Sequence, residues 1–515
     1  MIVDFFKHSI RVEEENTNKN LNSRFLSFGS ITNKFEKKIN SIDNYNFYYL
    51  VFFLIFICGP FLFFQTGIHG DDYTTISFFQ NKNLNSFLFV KPESQGIWMF
   101  VLPAYYFFYI LYFIIGNENL FIYDIAKYLI HVLSIYFVFK FFLNYFSKES
   151  SLFASLFFIL SVSHDATTYW YMVAAYMIFF PSLILYSFHL IKNNSIYFGS
   201  FLLFISSFCY SSPPYIFGLS IIFLLEKSLK KFFLFFIIGL FFIIYYFIMS
   251  WYFPFIESRI NNDINTVFFI KSFLLQLLSS IDSVIGLSFF LKVYYSIKSV
   301  NITSLLLSII LFFLFWINSK FDKQKKNYIP LLSGLIIIYF LSLCMFALTG
   351  MYAQSSFNLG NRVTIYPSLL IAYLLFLPKY NKLTISIFFL ILVIPTFGLS
   401  THWKEWNSHQ NKIIHNINHN QNLKNLNRDD ILIIKENTYS SLGLFSHIEL
   451  FSMDWNVNNW FAKYVDSKNV MALTDYIDFE NNAIVDPKSF KKISLNNKIH
   501  IYDTNKNKLY QTSSV

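Results

Sequence analysis

Residues 231–252 read KFFLFFIIGLFFIIYYFIMSWY, and after Lys231 the run carries no charged side chain. The hydrocarbon of a bilayer is about 30 Å thick, which an α-helix crosses in about 20 residues. Lipid offers no hydrogen-bond partners, so a backbone passing through it must satisfy its own groups, as a helix does. The run is therefore read as a transmembrane helix. Working outward, apolar runs recur at 46–64, 97–115, 121–145, 151–163, 172–191, 195–209 and 213–226 before it. After it they recur at 300–317, 328–348, 363–378 and 382–400, with one or two more inside 266–297. The fold class expected is mostly α, a polytopic transmembrane helix bundle of about 11–14 spans. Composition agrees: 55% of the 515 residues are apolar and 14% charged, against about 25% charged in soluble domains.

The net charge of +10 is read as topology and not as a nucleic-acid surface, because the lysines collect in short loops. Lys148, Lys192, the group Lys227, Lys230 and Lys231, the group Lys320, Lys323, Lys325 and Lys326, and the pair Lys379 and Lys382 fit five cytoplasmic turns under the positive-inside rule. Loops 65–96, 164–171, 210–213, 253–265 and 349–362 then face outward, with the tail from 401. Two places strain this scheme. Two apolar segments lie between residue 96 outside and Lys148 inside, where an odd number of crossings is needed, so one of them lies along the membrane or re-enters. Residues 266–297 must make no crossing or two tight ones.

The domains expected are a cytoplasmic N-terminal segment, 1–45, without a cleavable signal, a transmembrane domain, 46–400, and a small extracytoplasmic α+β domain, 401–515. In the last, 402–419 reads as a helix at the membrane surface with Trp403 and Trp406 at headgroup level. Residues 430–435 read as a strand and 498–511 as a hairpin. No internal repeat is seen. The 68 Phe and 35 Tyr follow from A/T-rich codon bias, which also points to a bacterial inner membrane. Cys58, Cys209 and Cys344 all fall in apolar runs and form neither a disulfide framework nor a metal spacing.

Four places carry chemistry-bearing residues. Asp71 and Asp72 follow the first span in QTGIHGDDYTTISFFQNKN, 65–83. Adjacent acids there hold a divalent cation such as Mg or Mn, or supply a general base; an ordinary turn built on Gly70 and Asp71 is the other reading. His164 and Asp165 open the loop HDATTYW and either line an external cleft or cap a helix above an interfacial Trp170. Arg362, in SSFNLGNRVTIYPS, 355–368, pairs with a lipid phosphate or snorkels to the interface. Lys127 and His131 stand four residues apart in an apolar helix, where ionisable groups mark function by default and packing against polar neighbours is the alternative. His402, His409, His415 and His419 fall on two helix faces, which speaks against a shared ion.

In this order and spacing the motifs resemble the GT-C superfamily of membrane glycosyltransferases, nearest to its protein O-mannosyltransferase-like branch. HGDDY, 69–73, looks like the family's acid pair in the first external loop. FIYDIAKYLIH, 121–131, is similar to a stretch ending in Leu-Leu-His, matched by His131. SHDATTYW, 163–170, resembles a loop with a His six residues before a Trp, matched by His164 and Trp170. NRVTIYPS, 361–368, looks like Glu-Arg-Tyr-x-x-x-Pro-Ser, matched by Arg362, Pro367 and Ser368. Asn361 stands where that family has an acid and Val363 where it has Tyr. Tyr210, Ser211, Ser212 and Pro213 replace a Lys-Glu pair.

The resemblance implies an inverting transfer of a sugar from a polyprenyl-phosphate-linked donor to a glycan, lipid or protein acceptor on the outer face. Asp71 or Asp72 would be the base or would bind a cation, and Arg362 would hold the donor phosphate. His164, Asp165 and His131 would contact substrate, and the C-terminal domain would cap the cleft. Membrane lipid is the surrounding partner, and no nucleic acid is expected. Two alternatives stand beside it: a polysaccharide polymerase or ligase, and a transporter or flippase. A transporter would gather its polar residues at the midplane, a transferase at the outer surface.

Overall fold

Every long apolar run becomes a helix. The computed structural model describes residues 47–80, 96–116, 119–252, 265–317, 328–350, 353–357, 359–376, 387–435, 457, 465, 469–473, 478–480, 483–486, 491–494 and 498–512. The segment 1–45 and the lysines at 320–326, 379 and 382 lie outside the described residues. The helix bundle and the strands belong to one compact unit that begins at Ile55. Among the described residues five helices are long and apolar enough to cross a membrane: Phe121–Phe142, Tyr171–Lys192, Leu229–Tyr252, the bent Thr266–Lys298, and Tyr328–Thr349. Shorter apolar helices include Leu102–Ile115, Ile196–Ser207, Pro213–Leu225, Ile302–Ile317 and Ile365–Phe376. On Leu229–Tyr252, Phe233, Ile237, Phe241, Ile244 and Ile248 are exposed. Such an apolar face suits lipid and not water.

Three wide π-helical turns, Leu54–Cys58, Ala174–Phe179 and Phe389–Val393, each end two residues before a proline: Pro60, Pro181 and Pro395. A proline lacks the N–H that the preceding turn needs, and its ring crowds the carbonyl four residues back. A widened turn relieves both without ending the helix.

The turns sort into two ends. At one end Lys192 Nζ bonds Glu226 Oε1 and, at 3.0 Å, Tyr145 Oη. Lys231 Nζ reaches Lys192 O at 3.1 Å, and Asn193 Nδ2 reaches Asn144 Oδ1 at 3.3 Å. Three of the lysine-bearing turns of the charge scheme thus meet. At the other end Met172 N donates to Asp72 Oδ1 (2.8 Å), Tyr210 N to Phe100 O (2.8 Å) and Asn361 to Asp165.

The helix Leu102–Ile115 begins and finishes at this second end. Phe100, two residues before it, meets Tyr210. Gly116, just after it, accepts from Tyr123 Oη at 2.8 Å, beside Asp124, which accepts from Gly67 N at 2.9 Å. The helix lies along the end of the bundle, with Phe79 packed on Tyr105 and Tyr109. The segment 266–297 is two helices, Thr266–Ile285 and Leu287–Lys298, meeting at Gly286. Asp282 Oδ1 accepts from Ser288 N across the bend at 3.2 Å.

Helix Ile394–His419 passes through residue 400 without a break. Trp403 and Trp406, expected at headgroup level, are instead fully buried in the protein. The indole of Trp403 stacks on Tyr169 and meets His69, so its N–H finds a partner inside the fold. Beyond this helix, β1 (Ile431–Lys435) matches the strand expected there, and it pairs in parallel with β2 (Asn469–Ala472). β3 (Asp478–Glu480), β4 (Ala483–Asp486) and β5 (Lys491–Ser494) form an antiparallel sheet of their own. β6 (Ile499–Asp503) returns to the first sheet, parallel to β1 on its other edge. β6 and β7 (Lys508–Thr512) form the expected hairpin. Ile431, Ile433, Met471, Ile484, Ile493 and Ile499 make one apolar cluster.

Candidate functional site

The acid pair is divided by its backbone. Gly67 and Gly70 have positive φ, 72° and 50°, which turns the chain sharply into the helix Asp71–Gln80. At Gly67 a Cβ would also fall 1.9 Å from Asn407 Oδ1, so that side chain would have to swing aside. The turn points Asp72 inward. Its Oδ2 accepts from His69 N (3.0 Å) and Tyr171 N (3.2 Å), and its Oδ1 from Met172 N. The carboxyl is fully buried, and burial pushes its pKa from 3.8 up to about 7 against the opposing pull of these amides and of Lys127. Asp72 therefore ties two loops together. The three amides take up three of the acceptor positions of this carboxyl. Among the described residues no group of three His, Cys, Asp or Glu gathers around a common point. Asp71, partly exposed, is the acid of the pair that solvent can reach.

Lys127 is fully buried, 3.0 Å from Asp124 Oδ1. It donates to Thr66 Oγ1 (2.7 Å), Gly67 O and Tyr169 O (3.2 Å). It fastens the turn that leads into Asp71. His131, one helical turn on, is also buried; its Nδ1 lies 2.7 Å from Lys127 O and its ring 4.5 Å from that of Phe63. These contacts place His131 in the packing of the bundle.

His164 likewise lies inside the fold and not on a cleft wall. Its Nε2 donates to Phe158 O at 2.8 Å, and its Nδ1 lies 2.8 Å from Thr167 Oγ1. Burial lowers its pKa to about 4, so the ring is neutral near pH 7. Asp165 is fully buried at the centre of a polar hub. Its Oδ1 accepts from Lys292 Nζ at 2.5 Å and from Asn361 Nδ2, and its Oδ2 from Trp403 Nε1 at 3.0 Å. Asn361 also accepts from Ala166 N at 3.2 Å. This accounts for an amide at 361: an acid there would face the Asp165 carboxylate and could not donate to it.

Lys292 was missed in the sequence, although it is an isolated charge inside an apolar run, a placement costly without a partner. Asp124 was missed too, since its value shows only through Lys127 and Gly67.

Arg362 lines a cavity. Its guanidinium carbon is 5.7 Å from the centre of the Trp170 ring, within cation–π range. It stands at the edge of a cavity of about 370 Å³ lined by Phe100, Pro213, Phe217, Phe242, Tyr246 and Phe346 among others. Tyr210 lines it as well. Between Tyr210 and Pro213, which both line it, Ser211 Oγ donates to Tyr176 O at 2.5 Å and Ser212 Oγ to Ser206 O at 2.6 Å. Residues 170–172 join the two halves of the site: Trp170 faces Arg362, while Tyr171 and Met172 hold Asp72, next to Asp71. Comparison with protein-family profiles, curated proteins and solved structures finds no match to this chain.

Proposed function

We propose that this chain is a membrane glycosyltransferase. In this reading it moves a sugar from a polyprenyl-phosphate-linked donor to a hydroxyl of a glycan, lipid or protein acceptor, at the outer face of a bacterial inner membrane. The supporting observation is Arg362 at the edge of the apolar cavity of about 370 Å³. Aromatic and aliphatic walls suit an isoprenoid chain, and one guanidinium suits the phosphate at its head. The order of the sequence motifs points to the same reaction class. Asp71 takes the proton of the acceptor hydroxyl as that oxygen attacks the anomeric carbon. The bond from that carbon to the phosphate oxygen breaks, and the configuration inverts. The polyprenyl phosphate gains one negative charge as it leaves, which Arg362 stabilises. No step needs Asp72, His164, Asp165 or His131 to touch substrate.

The test is expression of wild type, Asp71→Asn and Arg362→Ala in the native host, with mass spectrometry of the glycans on lipids, polysaccharides and proteins. One sugar should disappear in both variants while each still accumulates in the membrane. Unchanged glycans in both, with altered export of a solute on gene deletion, would replace the transferase by a transporter.

A further inference from the structure

The segments 353–357 and 359–364, which carry Arg362, are pinned by neighbours that do not line the cavity. Gln354 N donates to Gln276 Oε1 at 3.1 Å, and Gln354 O accepts from Ser283 Oγ at 3.0 Å. Ser356 Oγ donates to Ser283 O at 2.9 Å, and Ser356 O accepts from Lys292 Nζ. Asn361, adjacent to Arg362, donates to Asp165 and accepts from Ala166 N. Thr364 Oγ1 donates to Ser163 O at 2.8 Å. Two of these anchors, Ser356 and Asn361, converge on one buried ion pair, Lys292–Asp165, whose side chains are both 0% exposed.

A lysine in an apolar helix is tolerated when its charge is matched and its donors are used, and here both conditions are met by the segments that present Arg362. A guanidinium binds a phosphate well only when held in one geometry.

We propose that Lys292 and Asp165 are positioning residues for Arg362: the pair sets where the guanidinium stands, and so governs recognition of a phosphate at the cavity edge without touching it. This rests on reading the cavity as the donor's site.

The experiment measures binding of a C55 polyprenyl phosphate and of the matching polyprenyl alcohol to the full chain in nanodiscs. Wild type, Arg362→Ala, Lys292→Met and the double variant Asp165→Asn/Lys292→Met are compared, with thermal unfolding of each recorded. The double variant removes both charges, so neither is left buried alone. The expected result is a preference for phosphate over alcohol in wild type, abolished by Arg362→Ala. That preference should fall about tenfold or more in the double variant, with alcohol affinity unchanged. If the double variant folds and keeps the wild-type preference, the pair is only structural and the inference is overturned while the donor reading stands. If wild type itself shows no preference, the donor reading falls and the inference with it. Lys292→Met alone should show the same loss of preference in whatever fraction folds; wild-type preference there would also overturn it.

Discussion

Lys292 Nζ lies 2.5 Å from Asp165 Oδ1, and neither side chain is exposed. The two residues are 127 positions apart, on elements that hydropathy treats as unrelated. Removing one partner of a buried pair leaves an uncompensated charge, which costs about 3–5 kcal/mol. Lys292→Met is therefore expected to lower stability by that amount, and adding Asp165→Asn to recover most of it. Thermal unfolding of the two purified variants in the same detergent checks this; equal melting temperatures would mean that the pair contributes no coupling.

Asp72 gives the fold a pH dependence. Its folded-state pKa, raised by burial to about 7, exceeds the ordinary value of 3.8. The folded form therefore holds the proton more tightly than the unfolded form. This contribution to stability is fully present below about pH 3.8 and is lost as pH rises towards 7. The melting temperature should show a falling component between those limits and level off above them. Asp72→Asn should remove that component and, by placing an amide N–H against backbone donors, lower stability throughout. A variant that keeps the wild-type slope would assign the slope to another group.

Gly398 permits the closest helix contact near the hub. A Cβ there would fall 1.7 Å from Ser296 O, a backbone atom that cannot swing aside. Helices Leu287–Lys298 and Ile394–His419 would have to separate, drawing Lys292 and Trp403 away from Asp165. Gly398→Ala should destabilise by about 1–3 kcal/mol or more. Gly116→Ala faces no neighbour within 4 Å, so any loss there comes from its positive φ of 71° alone. Comparable losses at both sites would show that crowding at Gly398 is unimportant.

The two ends of the bundle should lie on opposite sides of the membrane. In a cysteine-free background, a membrane-impermeant maleimide should label only one of Asn119→Cys and Ser195→Cys in intact cells. Both positions are exposed. Labelling of both from the same side would require a different number of crossings between them.

The apolar helices were legible along the chain because they are a local property. An uninterrupted apolar run and the backbone's need for internal hydrogen bonds together require a helix wherever the run occurs. The same holds for β1 and the β6–β7 hairpin, whose signals are a short β-branched apolar run and a short polar turn. The parallel pairing of β1 with β6 was not legible, because strand order depends on how distant segments return. Arg362 was legible as an arginine at the start of an apolar helix, and three of the lysine-bearing turns as neighbours at one end of the bundle.

The rest needed the third dimension. Asp71 and Asp72 are equivalent in sequence; only the turn at Gly67–Gly70 and the amides of residues 171 and 172 send one carboxyl inward and leave the other at the surface. Trp403 looked interfacial because an indole with a polar N–H suits headgroups, yet a buried carboxylate met that N–H just as well. His164 and Lys292 show the same contrast. A polar group in an apolar chain announces that a partner exists, but which partner, and hence whether the group binds substrate or holds the fold, is settled by packing between segments far apart in sequence.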